Sequence, residues 1–187
     1  MNRDLDVLCY AEPVAVENRT LRGYAIVFDV PSNDRGGYRD VFTRESAKRT
    51  LDSGADVLAI NYHDVSRPLA RRKNNGLSLT ADSKGVMVQF DAPKTREGDD
   101  LLELVRSGVI GGMSFGTRIL KADPFKRVND GTPIRTVRDM VIHHVSPVAD
   151  PAFSQTSLTA LSAFSDFLKS QPIGKTREYY ERLLKLA

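Results

Sequence analysis

Two alternating runs, residues 77–81 and 86–92, are separated by Asp82-Ser83-Lys84-Gly85. Alternation with a period of two marks half-buried strands, and a short Asp/Ser/Gly turn between them predicts an antiparallel hairpin. A lone hairpin is marginal in water, so it needs further strands or helices against its apolar face. The chain supplies them. Residues 21–28 (LRGYAIVF), 38–42, 57–63 (VLAINYH), 109–120 (VIGGMSFGTRIL) and 134–145 all read as strands. Helices are predicted over 44–53, with Thr43 as N-cap and Gly54 as stop, and over 99–107, where Leu101, Leu102, Leu104 and Val105 precede Gly108. Residues 31–37 and 121–133 read as polar loops, and Pro147 and Pro151 interrupt the last strand pattern. A helix is expected over 158–168, and a short amphipathic one over 176–187 after the linker Ser-Gln-Pro-Ile-Gly at 170–174. Hairpins join neighbours and no βαβ repetition appears. The expected fold is therefore α+β, with an antiparallel β-barrel-like core and peripheral helices. Residues 1–169 form the expected domain, and 170–187 the linker and C-terminal helix.

Composition sets the class. The chain has 187 residues, 41% hydrophobic and 27% charged, which is ordinary for a globular protein. A net charge of +3 is spread along the chain. Its densest cluster, Arg67, Arg71, Arg72 and Lys73, reads as a solvated loop, and no nucleic-acid partner is expected. The single cysteine, Cys9, permits no intramolecular disulfide, which fits a reducing compartment. The acidic N-terminus is not a signal peptide, and no stretch approaches the ~18 apolar residues of a membrane span. A soluble, cytoplasmic protein without a membrane partner is expected.

Three histidines, His63, His143 and His144, are the natural candidates for proton transfer near neutrality. His63 ends an apolar strand in Asn61-Tyr62-His63-Asp64, where a structural role is the ordinary expectation. The second feature is Gly111-Gly112-Met113-Ser114-Phe115-Gly116. Strand alternation sends Val109, Met113, Phe115, Thr117 and Ile119 to one face and Ile110, Gly112, Ser114, Gly116 and Arg118 to the other. Ser114 is thus flanked on its own face by Gly112 and Gly116. Glycine inside a strand marks a bulge or a close backbone approach. It leaves room for a substrate chain, and its amides can serve an oxyanion. A barrel corner would use the same glycines. The formal match to the Gly-x-Ser-x-Gly elbow lacks the strand-to-helix turn that motif requires. A serine nucleophile needs a base, and the base an orienting partner. Adjacent strand residues face opposite sides, so only one of His143 and His144 can share a face with Ser114. His63, Asp64, His143, His144 and Asp150 are also possible metal ligands, but no metal-binding spacing ties them together, and no metal or cofactor is expected.

Taken together, four segments resemble the prohead (capsid-maturation) serine proteases of tailed phages, distant relatives of the herpesvirus assemblins. They are Leu21 to Phe28 (LRGYAIVF), Asn61-Tyr62-His63-Asp64 with Pro68-Leu69-Ala70-Arg71, Gly108 to Gly116 (GVIGGMSFG), and Val145 to Phe153 (VSPVADPAF). The resemblance implies a serine endopeptidase that cuts the scaffold protein, or the scaffold-like segment of the major capsid protein, and possibly itself, inside the assembling prohead in the host cytoplasm. It implies Ser114 as nucleophile and His63 as base. The family's third position falls at His144. Many phage members carry an acidic residue there, whereas the assemblins use histidine. It also implies an assemblin-like β-barrel and suggests a homodimer. A non-catalytic capsid-assembly or scaffold-binding module of the same fold is the rival reading from another class, and a soluble esterase a second enzyme reading.

Overall fold

The computed structural model describes residues 6–10, 15–17, 19–34, 37–127 and 131–149. The helices expected at 158–168 and 176–187, and the linker at 170–174, lie outside them. The elements run β1 (Asp6–Tyr10), β2 (Ala15–Glu17), β3 (Thr20–Val27), β4 (Arg39–Phe42), α1 (Lys48–Asp52), β5 (Leu58–Ile60), β6 (Pro68–Arg71), β7 (Leu77–Ala81), β8 (Gly85–Asp91), α2 (Arg96–Arg106), β9 (Gly112–Ala122), β10 (Lys126–Arg127) and β11 (Pro133–Val148). Short 3-10 turns occupy Arg44–Ala47, Asn61–His63 and Arg72–Asn74.

The β7–β8 hairpin forms as expected. Asp82 Oδ1 accepts from the amides of Lys84 (2.7 Å) and Gly85 (3.0 Å), closing the turn. Gly85 is required: a Cβ there would lie 1.9 Å from the Ile26 carbonyl oxygen, so only glycine lets β3 pair so closely. With β2 and β3 this hairpin makes a four-stranded sheet in the order β2-β3-β8-β7. Its inward side chains, among them Leu21, Ile26, Val86, Val88 and Phe90, enter the core.

The second sheet has seven strands, ordered β1-β9-β11-β5-β6, with β4 and β10 also on β11. The sheets share one core cluster, and isolated bridges from Phe28 to Phe42 and Pro31 to Val41 join the end of β3 to β4. The expectation of a purely antiparallel core needs correction. β11 runs antiparallel to β9 and β10 but parallel to β4 and β5, and pairing among the described residues does not close a barrel. The parallel partners arrive through long excursions that hairpin signals do not reveal. The coarser class, α+β and mostly strand, holds.

Several boundaries differ for identifiable reasons. The 44–53 helix is a 3-10 turn followed by α1, and Thr43 does not cap it. Its hydroxyl donates instead to the Val137 carbonyl of β11 (3.3 Å). Helix α2 begins three residues before the expected 99, capped by the Thr95 hydroxyl, which accepts from the Gly98 amide. The strand continues through Pro147, opposite Met113, and on the other side of β11 the pairing with β5 covers His144 and Val145 and stops short of the proline.

A buried ion pair ties β4 to β11. Arg135 Nε and Nη2 donate to Asp40 Oδ1 (2.8 Å) and Oδ2 (3.0 Å), with the guanidinium near the Tyr38 and Phe125 rings. Asp40 is fully buried. Asp40→Ala strands the guanidinium, and we expect it to cost about 3–5 kcal/mol in urea unfolding. Asp40→Leu combined with Arg135→Met should cost much less.

Candidate active site

The site assembles on one face of the β9–β11 pair. Ser114 on β9 lies directly opposite Ser146 on β11, and Gly116 opposite His144. Directly opposed residues of an antiparallel pair share a face, as do residues two apart on one strand. Ser114, Gly116, His144 and Ser146 therefore sit together. Met113, Phe115 and Val145 take the other face and enter the core.

A β-bulge makes this possible. Met140 and Ile142 both point into the core, so simple alternation would send His144 inward after them. Between Ile142 and His144 the register with β9 shifts by one residue, from Thr117 to Gly116. The inserted residue is His143. The phase reverses, Val145 takes the core position, and His144 turns to the Ser114 face.

His63 comes to this face from the turn after β5. The reading of 57–63 as one strand needs correction here: β5 ends at Ile60, and Tyr62 (φ 49°) and His63 (φ 59°) are both left-handed. Non-glycine residues adopt that region at a cost, and such strain gathers at functional sites. The ring of His63 meets that of His144, with Nδ1 and Nε2 2.7 Å apart. One nitrogen must donate and the other accept. His63 Nε2 is buried and has no hydrogen-bond partner, so a donating Nδ1 leaves Nε2 as an unengaged acceptor. The His63 amide donates to Ser146 Oγ (2.8 Å), and that hydroxyl donates to the Ile60 carbonyl (2.7 Å).

The outer side of the turn is tied to α2. Asn61, buried, donates through Nδ2 to Glu97, which also pairs with Arg67 (2.7 Å). Asp64 is exposed and closes the loop by accepting from Ser66 through Oδ1. Sequence reasoning missed Ser146, Glu97 and Arg67. Ser146 lay in a segment singled out for resemblance, but a strand serine by itself gives no signal of what it holds.

The remaining candidates separate. His143 is half-buried, with its Nε2 enclosed and unpartnered. Gly116 lies mid-strand with partners on both sides, Val7 and His144, where backbone groups serve the ladder. Gly112 opens β9 beyond the last β1 partner, opposite Val148. Ser114 is 0% exposed, so a substrate reaches it only by displacing what covers it. Among the described residues, no group of three His, Cys, Asp or Glu is placed to hold a metal ion. Among them, too, no helix is long and apolar enough to cross a membrane.

Burial sets the charge of the site. Desolvation, then the neighbouring His144, holds His63 down at about 3. Desolvation, then His143, holds His144 at about 4. His143 is lowered as well, by burial and then by Arg118. All three are neutral at pH 7. Their protons are bound more weakly folded than unfolded, where the ordinary value is 6.5. Their stabilising contribution is therefore complete above pH 6.5 and declines on acidification through the window down to the folded values. We expect the unfolding free energy, and the thermal midpoint with it, to fall as the pH drops from 6.5 to about 5, above the main carboxylate range, the free energy by up to about 1.4 kcal/mol per pH unit per buried histidine. His63→Gln with His144→Gln should flatten that slope. An unchanged slope would contradict the neutral, buried pair.

A family model for the caudovirus prohead serine protease matches residues 10–170. Among solved structures, the capsid assembly protease of bacteriophage T4 is similar, with TM-score 0.55 and 12% identity over 79% of this chain and 98% of that one. At that identity the likeness shows the fold. No curated protein matches the chain. The matched span covers most of the sequence and all the residues of the site, and the chain belongs to the caudovirus prohead serine protease family.

Proposed function

We propose that Ser114 is the nucleophile of this capsid-maturation protease, His63 its general base and His144 the residue that orients the base. This reading is supported by the 2.7 Å contact of His63 Nδ1 with His144 Nε2 and by a buried His63 Nε2 that has no hydrogen-bond partner. Ser114 Oγ attacks the scissile carbonyl while His63 Nε2 takes its proton. The proton then passes to the leaving amine. Water hydrolyses the acyl-enzyme through the same base. The oxyanion lies at the glycine end of β9. Gly112 and Gly116 are its candidate donors, and Gly112, the first residue of β9, has no β1 partner among the described residues.

His144 is neutral where many triads carry a carboxylate, so it fixes the tautomer of His63 without stabilising the imidazolium as strongly. His144→Ala should therefore cost less than Ser114→Ala. About 10- to 100-fold is expected, against complete loss for the serine. Because burial lowers His63, its neutral form persists on acidification, and the acid limb of kcat/KM should lie well below 6.5.

The substrates in this reading are the phage's scaffold protein or the scaffold-like segment of its major capsid protein, with self-cleavage as a further event. The enzyme acts inside the assembling prohead in the host cytoplasm. Residues 1–169 make up the protease domain, its strands wrapped barrel-like about the shared core, and 170–187 form an appendage. The assemblin likeness makes a homodimer the expected assembly. The test is intact-mass analysis after co-expression with the phage's capsid and scaffold proteins. Wild type should yield defined products and Ser114→Ala none. Equal, intact chains from both, in verified assemblies, would favour a non-catalytic module of the same fold.

A further inference from the structure

One buried hydroxyl at the site takes no part in the proposed catalytic steps. Ser146 is 0% exposed, two residues beyond His144 on β11 and directly opposite Ser114 on β9. Its hydroxyl makes two bonds, accepting from the His63 amide (2.8 Å) and donating to the Ile60 carbonyl (2.7 Å). These are the two ends of the turn that carries His63. The turn holds two consecutive non-glycine residues in the left-handed region, Tyr62 (φ 49°) and His63 (φ 59°). Backbone of this kind persists only where its surroundings over-determine it. Asn61, Glu97 and Arg67 hold the outer side of the turn, but their contacts reach Asn61 and the loop beyond it and do not touch His63.

We propose that Ser146 is a positioning residue for the base: its hydroxyl clamps the strained Ile60–His63 turn so that His63 Nε2 is held toward Ser114. The inference rests on His63 and Ser114 being base and nucleophile. One strand thus holds both halves of a single residue. His144 fixes the ring of His63 through Nδ1, and Ser146 fixes its backbone through the amide. Because Ser146 is also the cross-strand neighbour of Ser114, the same pairing that places the nucleophile sets its separation from the base. Without the hydroxyl, the turn loses its inner tie, and the buried Ile60 carbonyl and the part-buried His63 amide each lose a partner. Misplacing a catalytic group by about 1 Å is enough to cost on the order of 100-fold.

Threonine and valine have nearly the same shape and differ at this position in the hydroxyl alone. Comparing them separates clamping from packing. Ser146→Thr and Ser146→Val are co-expressed with the phage's capsid and scaffold proteins beside wild type and Ser114→Ala, and the cleavage rate is read by intact mass. The clamp predicts Ser146→Thr within about threefold of wild type and Ser146→Val slower by at least about tenfold, with both thermal midpoints above the assay temperature. Equal rates for the two variants overturn the proposal and leave the assignment of Ser114 standing. Continued cleavage by Ser114→Ala, or none by wild type, overturns that assignment and this inference with it. If the added methyl prevents folding, Ser146→Ala, which adds no volume, replaces the pair. A rate equal to wild type then overturns the clamp, and a tenfold loss with a native far-UV spectrum supports it.

Discussion

The pairing of β11 with β9 is the constraint on which the fold and the site both depend. β11 is the long strand of the larger sheet and takes β9, β10, β4 and β5 as partners. Its register with β9 sets Ser114 opposite Ser146 and Gly116 opposite His144. Its parallel pairing with β5 at His144–Leu58 and Val145–Ala59 fixes where the chain leaves the sheet to form the His63 turn. A slip of β11 by one residue against β9 would reverse its faces relative to that strand, sending His144 into the core and Val145 out of it and parting His144 from the Ser114 face. The apolar side chains that fill the core therefore also select the register that builds the site. Phe115 and Val145 lie in the core and flank Ser114 and His144 in sequence.

The electrostatics of the site follow from its depth. A histidine pair within hydrogen-bond distance and largely removed from water cannot carry an imidazolium charge on each ring without a counter-charge. Among the described residues no carboxylate bonds to either ring, and Glu97 and Asp64 engage Asn61, Arg67 and Ser66. The pair rests neutral, which keeps an acceptor lone pair on His63 ready. An imidazolium formed on His63 in the proposed mechanism would find no fixed negative partner among the described residues. In exchange, the buried site avoids a permanent, desolvated charge.

Much of this was legible in the sequence because it rests on local patterns. The hairpin at 77–92 follows from alternation and its turn residues. The orientation of β9 follows from Met113 and Phe115 alternating with glycines. The restriction to one of His143 and His144 follows from strand geometry, but not the choice between them. The choice depends on a bulge at His143, which leaves no local signature. It appears only when the core side chains Ile142 and Val145, three apart, are both seen to point inward. Similarly, 57–63 is apolar enough to read as a strand to its end, yet the last residues turn left-handed because Ser146, far along the chain, holds them. Two parallel pairings and the ion pair of Asp40 with Arg135 are likewise long-range and left no pattern to read.

Nitrogen NMR of the 15N-histidine-labelled full chain reads the protonation pattern of the histidine pair. His63 at neutral pH should carry its proton on Nδ1, hydrogen-bonded to His144, with Nε2 bare, and both rings should stay neutral on titration well below pH 6.5. An imidazolium on either ring at neutral pH, or a proton resident on His63 Nε2, would contradict that pattern.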